Sequence, residues 1–158
     1  MRAVVQRVAS ASVSVDGQIV SQIGPGLLCL VGLRDGDGAG DAEFLARKLL
    51  NMRLWPTDSK AWDLSVSAKG YEILCVSQFT LYGRLQGNKP DYSRAMPPGE
   101  ARELYAALLE RLRAGYDPAR IKDGVFGAMM AVELVNDGPV TFVLDSQGGG
   151  GAADLPLG

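Results

Sequence analysis

Serine and small apolar residues alternate strictly from position 9 to 15: Ala9, Ala11, Val13 and Val15 hold the odd places, and Ser10, Ser12 and Ser14 the even ones. That period of two predicts a strand with one face buried and one face wet. Asp16-Gly17 is a tight-turn pair, so 18–23 is the returning strand of a hairpin. Gly24-Pro25-Gly26 breaks the chain, and the apolar run 27–33 suits a strand covered on both faces. The period then becomes helical. A helix of about 14 residues is expected from Asp41 as N-cap, with Phe44, Leu45, Leu49 and Met52 on one side and Trp55-Pro56 closing it. Short strands are expected at 61–66 and 71–81, separated by Lys69-Gly70, and 83–98 reads as loop. Leu104, Tyr105, Leu108, Leu109 and Leu112 mark a second helix, with Gly115 placed as its C-terminal cap. Two more strands, 127–135 and 140–145, flank the turn Asn136-Asp137-Gly138-Pro139. The pattern predicts one α+β domain, 1–147, built as a mostly antiparallel sheet with two packed helices. The glycine-rich stretch 148–158 reads as a disordered tail.

Composition removes several functions. Among 158 residues, 16 Lys plus Arg face 18 Asp plus Glu, a net charge of −2. A protein that wraps duplex DNA through phosphate contacts is normally more basic, so DNA is not expected as a partner. The chain has no histidine, which excludes Ser-His-Asp and Cys-His catalysis and His-ligated zinc. Cys29 and Cys75 lie in apolar runs without a C-x-x-C spacing, and the expectation is two buried free thiols in a reducing cytoplasm. The opening MRAVVQRVAS lacks an apolar leader core, and no stretch approaches a membrane span. The loop DGDGAGD at 35–41 fails as a calcium loop, because Ala39 stands where a third oxygen ligand belongs and Ala46 takes the twelfth place. It fails as a nucleotide loop for want of the glycine spacing, so neither metal nor cofactor is expected.

Two stretches are candidates for chemistry. Ser77-Gln78-Phe79-Thr80-Leu81 continues an apolar strand into polar residues without a turn signal, offering hydroxyls, an amide and backbone donors to a pocket. The plainer reading is a strand reaching the wet rim of the sheet. Asn136-Asp137-Gly138-Pro139-Val140-Thr141 places Gly-Pro in a tight connection, where unusual backbone geometry is accessible. The plainer reading there is a four-residue hairpin turn. Composition and periodicity leave both alternatives open.

SQFTL at 77–81 and NDGPVT at 136–141 together resemble the paired signature of D-aminoacyl-tRNA deacylases. The resemblance extends through MRAVVQRV, KPDYSRAMPP at 89–98, GVFGAMMAV at 124–132 and VLDS at 143–146. It follows the main branch of that family, with Gln86-Gly87 where many relatives have Lys-Gly and Tyr92 where Phe is common. The resemblance implies a homodimer of barrel-like subunits with the active site at the interface. It also implies hydrolysis of the ester joining a D-amino acid or glycine to the 3′-terminal adenosine of tRNA. On that basis Ser77, Gln78, Phe79 and Thr80 line the catalytic pocket. Gly138-Pro139 would enter the partner's pocket as a cis dipeptide and exclude L side chains. Arg7 and Asn136 would belong to the same chiral filter, while Phe126, Gly127 and Met130 would shape the adenosine end. Arg84, Lys89, Arg94, Arg111, Arg113, Arg120 and Lys122 are candidate RNA contacts, though for any one of them taken singly the favoured reading is an ordinary surface charge. A small-molecule ester hydrolase and a non-catalytic RNA-end-binding module on the same dimeric scaffold are the rival readings.

Overall fold

The structure, a computed structural model, describes residues 1–148. The expectation of a disordered tail falls, from residue 149 onward, outside the described residues. Among the described residues eight strands and three α-helices follow one another along the chain. The first strand, β1 (Arg2–Val15), turns through Asp16 and Gly17, both at positive φ, into β2 (Gln18–Ile23), and β3 (Gly26–Gly32) follows. Sequence periodicity found only the second half of β1. Register breaks around Val8 shift its phase, so Ala3 and Val5 point to one side of the sheet and Val8, Ala11 and Val13 to the other. A bulged strand carries no single alternation to be read.

Helix α1 (Ala39–Asn51) connects β3 to β4 (Glu72–Ser77), and α3 (Pro98–Gly115) connects β4 to β7 (Ile121–Asp123). Both connections return the chain in the same direction, so β3–β4 and β4–β7 pair in parallel. Among the described strands, antiparallel pairing joins β1 to β2, β3 and β8 (Ala131–Asp145), and joins β5 (Arg84–Gln86) to β6 (Lys89–Asp91) in a small hairpin. The sheet is therefore mixed and barrel-like: most of its pairing is antiparallel, as expected, and the parallel β3–β4 and β4–β7 pairs are what the expectation lacked. Strand–helix–strand order forces a crossover, and a crossover delivers a parallel strand.

Four further expectations change. Asp41 sits in the first turn of α1 rather than at its cap. Its Oδ2 accepts from the N–H of Gly38, the actual cap residue, at 2.8 Å. The strand expected at 61–66 is a single bridge, Trp55 to Leu64, followed by the short helix α2 (Val66–Lys69). The loop 83–98 contains the β5–β6 hairpin, turned by Gly87 at φ +63°. Gly115 is the last residue of α3, not its cap; a Cβ there would come within 2.9 Å of Leu50 Cδ1, so the glycine lets α3 close on α1.

The core has two parts. Leu27, Cys29, Val31, Ile73 and Cys75 face α1 and α3, which contribute Leu45, Leu49, Leu108 and Leu112. Leu28, Leu74 and Val76 face the barrel interior with Val8, Val13 and Ile23. β3 and β4 are thus buried on both faces, which is why their sequences read as unbroken apolar runs. Cys29 and Cys75 are register neighbours and free, as expected.

Candidate active site

The stretch expected to be strand as far as Leu81 leaves the sheet at Ser77. The N–H of Gln78 still donates to Val31 O at 2.7 Å, but β3 ends one residue later, and Phe79–Tyr82 winds into a 3-10 turn. Glycine at position 32 makes room for that turn. A Cβ there would lie 2.8 Å from Leu81 Cβ and 3.1 Å from Gln78 O. The turn is clamped from the side by Arg2, whose Nη1 donates to Leu81 O at 2.9 Å while its guanidinium lies over the Tyr82 ring and pairs with Asp145 at 3.0 Å. The Tyr82 hydroxyl is buried, and burial together with the Asp145 and Asp37 carboxylates pushes its pKa far up. Ser77 and Gln78 are half-buried, whereas Phe79 and Thr80 are exposed. Sequence reading did not single out Arg2. Its partners are 79 and 143 residues away along the chain, so no local signal marks it.

The loop 124–130 lies against the same end of β4. The N–H of Gly124 donates to Cys75 O at 3.1 Å, and a Cβ on Gly124 would lie 3.8 Å from Val76 Cγ2. Phe126 packs on Tyr105, with Arg102 stacked on its ring at 4.8 Å, and Gly127 turns the loop at φ +76°. Met130 packs against the barrel interior, and its Sδ accepts from the Val125 N–H at 3.5 Å. Beneath this loop the Tyr105 hydroxyl donates to Asp123 Oδ1 at 2.5 Å. Burial raises the Asp123 pKa, against the lowering effect of the Tyr105 and Gly124 hydrogen bonds. The structure therefore brings Ser77, Gln78, Phe79 and Thr80 to the same end of β4 as the loop of Phe126, Gly127 and Met130.

The other motif lies elsewhere. Residues 136–139 do not form a hairpin turn, and this corrects the two-strand expectation: β8 runs through them as one strand. Gln6 of β1 pairs with Thr141 and Val8 with Asn136, so Arg7 alone faces the four residues 137–140, which bulge outward. The Gly138-Pro139 peptide is cis, Gly138 has φ +115°, and both residues are exposed. The Asn136 side chain closes the bulge. Its Nδ2 donates to Arg7 O at 2.9 Å and to Val140 O at 3.1 Å, and its Oδ1 accepts from Gln6 at 3.2 Å and Thr141 at 3.3 Å. Arg7 Nη1 donates to Leu54 O at 2.5 Å, and Nε lies 3.1 Å from Asp137 Oδ2 as an ion pair without hydrogen-bond alignment. Arg7 and Asn136 are thus joined to the bulge in the fold itself. Within one chain the two motifs stay apart. Ser77 is level with Val31 and Ala3, four residues of β1 from Arg7, which is about 13 Å along the strands before any step across the sheet is counted.

Among the described residues no group of three His, Cys, Asp or Glu side chains is placed to hold a metal ion. The comparisons decide which family this arrangement belongs to. A family model described as D-Tyr-tRNA(Tyr) deacylase matches residues 4–145. The chain belongs to the D-aminoacyl-tRNA deacylase family. A D-aminoacyl-tRNA deacylase of Drosophila melanogaster is 55% identical over 92% of both chains, and one of Dictyostelium discoideum is 51% identical over 93% of this chain and 99% of its own. The solved structure of a protein named "c-Myc DNA Unwinding Element Binding Protein" is 51% identical, superposes with a TM-score of 0.88, and covers 92% of this chain and 98% of that one.

Proposed function

We propose that this chain, an ester hydrolase of the D-aminoacyl-tRNA deacylase family, frees tRNA of D-amino acids and glycine at a site completed by a second copy of the chain. The 3-10 turn after β4 supplies the catalytic pocket. Ser77, Gln78, Phe79 and Thr80 face the aminoacyl ester, and the first N–H groups of the turn, which have no partner within it, receive the developing oxyanion. Phe126, Gly127 and Met130 border the adenosine. Water adds to the ester carbonyl, the bond from the acyl carbon to the ribose 3′-oxygen breaks, and the water's proton leaves on that oxygen. The neighbouring 2′-hydroxyl orients the water. The ester is already activated, so holding the reactants in place supplies much of the rate. Thr80 as a covalent nucleophile ranks second, because it needs a base and the chain has no histidine.

The observation that carries this reading is the fixed, exposed Gly138-Pro139 bulge, which Arg7 and Asn136 hold in place away from its own chain's turn. In a two-fold dimer each bulge enters the partner's pocket. There its carbonyls meet the substrate's α-amino group, and its backbone fills the space an L side chain would need, so rejection is by clash. A DNA-binding reading, suggested by the name of one relative, draws no support from a chain of net charge −2.

Time courses on matched D-tyrosyl-, L-tyrosyl- and glycyl-tRNA test the proposal. Rapid loss of the D and glycyl esters with the L ester spared is expected. Equal hydrolysis of D and L would discard the filter, and no acceleration on any of them would leave an RNA-end-binding module or a small-molecule hydrolase.

A further inference from the structure

We propose that Tyr92 is the stacking platform for the nucleotide that precedes the terminal adenosine of a single-stranded RNA 3′ end. The inference rests on the placement of the pocket at the 3-10 turn. Phe79, the aromatic residue of that turn, is 56% exposed and Tyr92 is 40% exposed. The two rings meet edge to face, 4.9 Å apart at 72°, so each covers part of the other while both stay partly exposed.

Exposed aromatics on a loose loop would mean little, but Tyr92 is held from three sides. Its ring lies against Gly83, where a Cβ would come within 2.8 Å of Cε1. The hairpin before it is clamped by Asp91, which accepts from Arg84 Nε at 2.8 Å and from Ser93 Oγ at 2.7 Å. The segment after it is pinned to the end of β3, with Asp35 N–H donating to Arg94 O and Met96 N–H to Leu33 O, both at 3.0 Å. A pre-positioned ring loses little freedom when a flat ligand stacks on it.

The surrounding charge selects the ligand. Arg84 neutralises Asp91, and among the described residues Lys89 and Arg94 have no ion-pair partner, which leaves two cations within three residues of Tyr92 along the chain. A held, part-exposed ring that touches Phe79 of the proposed pocket, on a segment that carries two unpaired cations, matches an unpaired nucleotide and its phosphodiester. With the aminoacyl-adenosine filling the proposed pocket, the first base left outside it for a neighbouring ring is that of the preceding nucleotide.

The test compares kcat/KM on a D-tyrosyl-CCA trinucleotide and on D-tyrosyl-adenosine, which lacks the upstream nucleotides. The parent chain, Tyr92→Ala and Tyr92→Phe are measured on both. The trinucleotide's advantage is expected to fall roughly 5- to 150-fold in Tyr92→Ala, the effect of losing one base–aromatic stack, and to persist in Tyr92→Phe, which keeps the ring. Should Tyr92→Ala fold poorly, Tyr92→Leu fills the space against Gly83 without offering a π face. An unchanged advantage in the ring-less variant overturns the proposal. So does an equal loss on both substrates, the mark of a distorted pocket, or a change of oligomeric state, the mark of a ring covered by a second copy. Failure of the pocket placement has its own signature: Phe79→Ala would then cleave D-tyrosyl-adenosine as the parent does.

Discussion

Gly138 is the residue on which the proposed chiral filter turns. At φ +115° it occupies backbone space that L side chains rarely adopt, and a Cβ there would sit 2.7 Å from Val140 Cγ2, 2.9 Å from Val140 N and 3.1 Å from Arg7 Nη2. The nearest backbone atom belongs to the bulge itself, so no rotamer change relieves the clash and the bulge must shift. Gly138→Ala is expected to cost about 1–3 kcal/mol of folding stability by urea denaturation. It is also expected to narrow the D-over-L ratio of deacylation. Unaltered selectivity in a folded Gly138→Ala chain would contradict the filter. Both atoms of the Asn136 amide are engaged within the chain, so within the proposed filter it positions the dipeptide. Asp41 shows residue chemistry serving the fold. Burial raises its pKa, but hydrogen bonds from Ser146 Oγ and the Gly38 N–H outweigh burial and hold the carboxyl below its ordinary 3.8. A carboxyl depressed in the folded state stabilises the fold above its unfolded pKa and loses that contribution as pH falls through the folded value. Asp41→Asn is expected to cost about 1 kcal/mol near neutral pH. The gap from the parent should shrink below the ordinary carboxylate range, as urea curves at about pH 7 and about pH 3 would show.

At the scale of elements, the 3-10 turn depends on a residue from another strand. Gly32 lies under Leu81 and Gln78, so Gly32→Ala pushes the turn off the end of β3. Overpacking of this kind costs about 1–3 kcal/mol, and the displaced turn is expected to lower kcat/KM on D-tyrosyl-tRNA by at least about tenfold. Activity at the parent level would show that the turn's seating does not matter. This dependence also explains what the sequence could disclose about elements. The β1–β2 hairpin and the two long helices were legible, because turn residues and periodicity are local properties. The 3-10 turn was not, since Ser77–Leu81 leaves the sheet only because its neighbour β3 ends at Gly32. The single strand β8 was not legible either. Asn-Asp-Gly-Pro is turn chemistry, and only pairing with β1 on both sides of the bulge keeps the chain straight through it.

At the scale of the molecule, the separation of the two motifs within one chain makes dimerisation testable through activity. Phe79→Ala disables the proposed pocket and Gly138→Ala the proposed filter, so neither homodimer should discriminate and hydrolyse as the parent does. Mixing the two variants under exchange forms hybrids in which one pocket meets an intact bulge, and about a quarter of the parental sites are expected to return. No recovery, with hybrids shown to form, would mean that each chain completes its own site. The buried pair Cys29 and Cys75 provides an independent check on the core. The Cys29 pKa is raised first by its hydrogen bond with Cys75 and then by burial. Neither thiol of the native chain is expected to react with a disulfide reagent, and both should react after denaturation.

The sequence by itself determined the components: an α+β chain, a hairpin at Asp16-Gly17, two amphipathic helices, two buried thiols, and the SQFT and NDGPVT segments. Each follows from short-range spacing or from residue chemistry, which act before any long-range contact forms. Tertiary structure decided the parallel pairing of β3, β4 and β7, the reversal of facing along β1, the end of β4 at Ser77 and the outward bulge at Gly138-Pro139. Those features depend on which strands meet and where each partner ends. Such pairings join residues up to 143 positions apart, beyond the reach of local pattern.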